Sequence, residues 1–110
     1  MKELLDNAKE FYDSGEDNLA KERYNASASD FFKSIVIFCD YLIYKEIKRL
    51  PKNHADRFSL LETYFLNIYL EIAELFKTYI ESYNLRCKKE DAVRLKEYAR
   101  KIKGLVFDKK

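Results

Sequence analysis

The segment from Phe31 to Leu50, FFKSIVIFCDYLIYKEIKRL, constrains the fold more than any other part of the chain. Phe31, Phe32, Ile35, Val36, Ile37, Phe38, Cys39, Tyr41, Leu42 and Ile43 follow one another with almost no polar interruption. A helix built from them is apolar around most of its circumference, the pattern of a helix surrounded by partners. The rest of the chain therefore has to cover it. Steps of three and four pick out one exception, Asp30, Lys33, Ile37, Asp40, Tyr44 and Lys48, which fall on a single face. That stripe is expected to be either a solvated or dimer-facing seam, or a binding site.

The other segments read as helices able to provide that cover. Leu4, Leu5, Ala8, Phe11, Tyr12, Leu19 and Ala20 form a helical stripe that reads as one helix through Gly15, the alternative being a new helix capped by Ser14. Asn25 is expected to cap the central helix, and Pro51 to end it near Arg49 and Leu50. Asn53 can cap the next helix, with Asp56 in its first turn favoured by the helix dipole. Phe58, Leu61, Phe65, Ile68, Ile72, Phe76, Tyr79 and Tyr83 then recur at helical spacing, with a bend or break expected near Thr63 to Leu66. A last helix, from around Lys88, places Ala92, Leu95, Ala99, Ile102 and Val106 on one face, and Gly104 weakens its final turn. No segment alternates as a strand would. Short connections between helices predict one all-α domain over residues 1–110, an up-and-down antiparallel bundle of four to five helices.

Composition narrows the function classes without choosing one. Hydrophobic residues make up 47% of the 110 residues and charged residues 36%, enough apolar surface for a core. Cys39 and Cys87 have no companion CxxC or His cluster, so no metal or cofactor is expected and a reduced, cytoplasmic, soluble protein is the simplest reading. Neither a leader pattern nor a membrane span is visible. The net charge of +2 is unevenly spread: ten basic against four acidic residues from Arg86 onward give +6, leaving −4 for the first 85. Basic surface of this kind attracts anionic ligands and is equally found on solvated helix faces.

The most informative short string is RLPKNHADR, Arg49 to Arg57. It sets Arg49 at the end of one helix and His54, the only His, at the start of the next, with Lys45, Lys48, Lys52 and Arg57 nearby. The free N–H groups and dipole of a helix N-terminus form an anion site, and the same dipole favours a neutral imidazole able to act as a base. His54 is thus either a base beside a bound phosphate or an exposed first-turn residue. Asp40, set among Phe38, Cys39, Tyr41 and Leu42, is expected to face solvent or to pair with Lys33 or the Tyr44 hydroxyl. Tyr64, Tyr69, Tyr79 and Tyr83 could stack on bases, but belong equally to a core or interface.

Taken in order, RYNASASDFFKSIVIFCDYLI, PKNHADRFSLLE and SYNLRCKKEDAVRLKEYARKI resemble the HEPN family, the prokaryotic and eukaryotic nucleotide-binding helical domain. The carriers are Tyr24-Asn25-x-x-Ala28, Lys33, Pro51-Lys52-x-His54, Leu61 and Ser82-Tyr83-Asn84. The resemblance implies a helical bundle, commonly a homodimer. Many members are metal-independent ribonucleases, often toxins paired with a small nucleotidyltransferase, whose Arg and His, a few residues apart, meet near the dimer cleft. Arg49 and His54 stand at that interval, although Leu50 replaces the usual polar residue and Pro51 interrupts the helix. The leading expectation is a homodimer that binds nucleotide or RNA through Lys45, Lys48, Lys52 and Arg57, with Lys33, Asp40 and Tyr44 alongside. A ribonuclease toxin using Arg49 and His54, and a non-catalytic interaction module, are the alternatives.

Overall fold

Five helices and no strand form among the described residues, 1–107, of the computed structural model: α1 Lys2–Ala20, α2 Tyr24–Ile47, α3 His54–Tyr64, α4 Leu66–Glu81 and α5 Lys89–Phe107. The apolar segment becomes the hub of an all-α bundle. Phe31, Phe32, Ile35, Phe38, Cys39 and Ile43 are all buried, as an all-round apolar helix requires. No helix among the described residues is long and apolar enough to cross a membrane.

Small residues let α1 lie close against α2. The Gly15 carbonyl accepts from Ser27 Oγ and the Ala8 carbonyl from Ser34 Oγ, each at 2.8 Å and buried, so both hydroxyls are satisfied by helix carbonyls. A Cβ on Gly15 would sit 2.8 Å from the Phe31 ring. Glycine is therefore a packing requirement in an unbroken helix. Ser14 does not cap a second helix; its hydroxyl donates to Asp30 at 2.7 Å, joined by Asn18 at 3.0 Å.

Asn25 does not cap α2, which begins one residue earlier after Arg23. Its amide instead donates to Ser82 O (2.8 Å) and Leu85 O (2.7 Å) and accepts from Cys87 N (2.9 Å). The connection between α4 and α5 lacks a helix ladder, and these groups need partners. α2 also stops earlier than Pro51 alone predicts. Lys48 takes the left-handed conformation (φ 63°) and its N–H reaches Tyr44 O, which closes the helix at Ile47.

The helical pattern from Phe58 to Tyr83 breaks at Phe65 (φ −142°, ψ 61°), and α3 folds back on α4 with Phe58 edge-on to Phe76 at 5.5 Å. α4 in turn stacks Tyr79 on Phe32 of α2, with centroids 4.5 Å apart. α5 covers the remaining side of α2 with Ala92, Leu95, Ala99 and Ile102, the face its spacing predicts, and runs through Gly104. It is antiparallel to α1, joined by Lys96–Glu16 at 3.2 Å and by Lys103 over the Tyr12 ring. Cys39 and Cys87 are free thiols, and burial pushes both upward from the ordinary thiol range.

Replacing Gly15 with Ala isolates the packing term. An exposed helix gains about 1 kcal/mol from this change. Here, forcing the Phe31 ring aside costs about 1–3 kcal/mol. Gly15→Ala is expected to lower the unfolding free energy in urea by about 1 kcal/mol; a gain in stability would show that the α1–α2 seam is looser than described.

Candidate functional site

The site grows from a carboxylate placed where the hub helix is most apolar. Asp40 is 9% exposed, and an ionised carboxylate there needs a partner with several donors. Arg57, on the first turns of α3, supplies it: Nε lies 2.6 Å from Oδ1 and Nη2 2.9 Å from Oδ2, a bidentate pair with both side chains largely buried. The expected partners Lys33 and Tyr44 play no part. Lys33 is exposed and lies over the Phe11 ring of α1, 5.6 Å from its centroid. The half-buried Tyr44 side chain makes no hydrogen bond among the described residues, while its carbonyl accepts from Lys48 N.

Arg57 continues the chain to His54, with Nη1 2.7 Å from Nδ1 of the imidazole. A guanidinium only donates, so Nδ1 accepts and the proton of the neutral ring sits on Nε2. The ring also stacks toward Phe58 (6.4 Å, 23°). Asp40, Arg57 and His54 thus form one line from the core to the surface. In this arrangement His54 offers a donor, Nε2–H, and no free ring nitrogen to take a proton from a hydroxyl.

A second line organises the turn between α2 and α3. Asn53 Oδ1 accepts from Asp56 N at 2.8 Å, the cap its position predicts. The Asp56 carboxylate then accepts from Lys52 N (2.9 Å) and from Arg49 Nη1 (3.0 Å) through the same oxygen. The protein's own carboxylate thus engages the Arg49 guanidinium. The hydrogen bond from Arg49, with that from Lys52 N, holds the Asp56 carboxyl below the ordinary Asp range. No hydrogen bond joins Arg49 to His54 among the described residues; Arg49 faces Asp56, and His54 faces Arg57.

Three cations of the turn have no anionic partner among the described residues. Lys45, Lys48 and Lys52 are exposed and make no salt bridge among the described residues. Lys45 lies over Tyr41, and Lys48 Nζ donates to Lys45 O at 3.3 Å, which keeps the first two together. Of the residues that the sequence grouped, the turn gathers Lys45, Lys48, Arg49, Lys52, His54, Arg57 and Asp40, and Lys33 lies apart. The Asp40–Arg57 pair was missed because nothing in helical spacing links positions on two different helices. A buried Asp that lacks a partner on its own helix was the one available signal.

No family model matches the chain, and no curated protein or solved structure does so either.

Two measurements follow from this geometry. Asp40→Ala leaves the Arg57 guanidinium uncompensated and is expected to cost about 3 kcal/mol in chemical denaturation, whereas Asp40→Leu with Arg57→Met recovers most of it. Additive losses, with the double variant losing as much as the two single variants together, would mean the pair is not coupled. Asp56 has a depressed folded pKa, so its contribution to stability is present above the ordinary Asp value of about 3.9 and is lost as pH falls through the lower, folded value. Arg49→Ala is expected to move the Asp56 carboxyl back up toward that ordinary value in an NMR titration.

Proposed function

We propose that the chain is a HEPN-like helical protein that binds single-stranded RNA through the α2–α3 turn and does so without cutting it. The observation that carries this reading is the set of three exposed lysines around one turn, Lys45, Lys48 and Lys52, that make no salt bridge among the described residues. Arg49 and Arg57, at the same turn, are each held by a carboxylate. Phosphates spaced along a backbone suit such separated point charges, and an open surface suits a polymer better than an enclosed mononucleotide. The Nε2–H of His54 adds a donor for a phosphate oxygen or a base edge.

The internal pairing favours binding over cleavage. A ribonuclease base at His54 needs a ring nitrogen free to accept, and a phosphate clamp at Arg49 needs its guanidinium free. Both groups are engaged by neighbours in the same chain. The reading includes a homodimer, supported by the exposure of Tyr64, Leu66, Leu70 and Leu105, apolar or aromatic side chains that a second copy could cover.

Fluorescence anisotropy with a labelled oligouridine at several salt concentrations tests the proposal. Each phosphate contact on a single strand contributes about 0.7 to the slope of log affinity against log salt, so the Lys45→Ala, Lys48→Ala, Lys52→Ala variant is expected to lose about 2 from that slope and to bind more weakly. Unchanged affinity and slope would refute the assigned surface. Metal-independent cleavage by the wild type, lost in His54→Ala, would replace the binding reading with the nuclease one.

A further inference from the structure

A second group of cations that make no salt bridge among the described residues lies along the seam between α1 and α5, apart from the α2–α3 turn. Two α5 cations find carboxylates, Lys96 with Glu16 at 3.2 Å and Lys101 with Glu71 at 3.3 Å, and Arg94 donates to the Thr78 hydroxyl. Arg100 and Lys103, with Lys9 facing them from α1, make no salt bridge among the described residues. Asp6, one turn before Lys9, is taken up by Lys2 at 3.3 Å.

These three side chains line one groove of about 360 Å³ with Gly104 and Phe107. Its floor is partly fixed. The Lys103 ammonium sits 4.6 Å from the centroid of the buried Tyr12 ring, a cation–π contact that restrains an otherwise flexible chain. Burial, with Glu16 and Asp13, pushes the Tyr12 phenol above its ordinary range against the opposing charge of Arg100. Gly104 contributes no side chain and leaves room above the helix. Phe107 stands at the rim, 49% exposed and anchored by a T-shaped contact with Phe38 at 6.0 Å.

Like charges gathered in a small groove repel one another, and a multivalent anion relieves that cost. A carboxylate supplies a single charge. A phosphate monoester carries about −1.5 to −2 and offers the oxygens that an Arg fork and two ammonium groups can share. An exposed aromatic ring beside the charge adds a stacking surface for a flat group. The volume lies near the lower end of small-ligand sites, about 300–1,000 Å³, which suits one ring and one phosphate. We propose that the groove of Lys9, Arg100, Lys103, Gly104 and Phe107 binds a phosphate monoester carried on a flat aromatic ring. This site is separate from the RNA surface and does not rest on it.

Calorimetric titration of the full chain with phenyl phosphate and with inorganic phosphate tests the site. Phenyl phosphate is expected to bind saturably and at least about fivefold more tightly than inorganic phosphate, the difference being the ring. Arg100→Gln with Lys103→Gln, which removes both charges and keeps a polar side chain at each exposed or half-buried position, is expected to weaken binding at least about tenfold. Phe107→Ala is expected to bind phenyl phosphate no better than inorganic phosphate. The Lys45→Ala, Lys48→Ala, Lys52→Ala variant is expected to match the wild type, which separates this groove from the turn. No saturation up to about 10 mM, or equal binding by the double Gln variant and the wild type, overturns the proposal.

Discussion

The arrangement of the second half of the chain depends on a carboxylate buried in its most apolar helix. Asp40 cannot stay ionised among Phe38, Cys39 and Ile43 without donors, and Arg57 provides two of them in fork geometry. This pins α3 alongside α2. The chain must then turn sharply after Ile47, which the left-handed Lys48, Pro51 and the Asn53 cap together achieve. Breaking the helical run at Phe65 lets α4 return against Phe32 and leaves the other side of α2 to α5. A polar pair thus fixes a direction that apolar contacts alone would leave loosely specified.

The same pairing sorts the charges of the turn into two kinds. Arg49 and Arg57 act inside the molecule, one organising the turn through Asp56 and the other orienting His54 from Asp40. Lys45, Lys48 and Lys52 make no salt bridge among the described residues. A guanidinium engages a carboxylate in fixed directions, whereas a lysine is a mobile point charge on a long stem, so this division suits structure in the first case and sequence-independent phosphate contact in the second. The bridge to Arg57 also sets the hydrogen-bonding character of His54, making its outer nitrogen a donor.

Much of the fold was legible because its signals are local. The Asn53 cap, the buried face of α5 and the break between Thr63 and Leu66 follow from spacing and turn chemistry within a few residues. What the sequence concealed are contacts across long separations. Spacing offers Asp40 only Lys33 and Tyr44, neighbours on its own stripe, because helical periodicity cannot reach Arg57 on another element. Asn25 looked like a cap and instead secures three backbone groups of the α4–α5 connection. Gly15 looked like a weak point in a helix, and its reason is the Phe31 ring of the next helix. At the turn, composition identified the basic residues but could not distinguish those already neutralised from those free to bind.

The central claim is that Asp40, through Arg57, fixes His54 as a hydrogen-bond donor at the basic turn. A long-range proton–nitrogen NMR spectrum of the imidazole tests it most directly, since His54 is the single histidine and its ring signals need no assignment. The expected result is a tautomer with its proton on Nε2, and a Nδ1 resonance that shifts when Arg57 is replaced by Gln. A ring protonated on Nδ1, or one whose signals ignore the Arg57 substitution, would contradict the account.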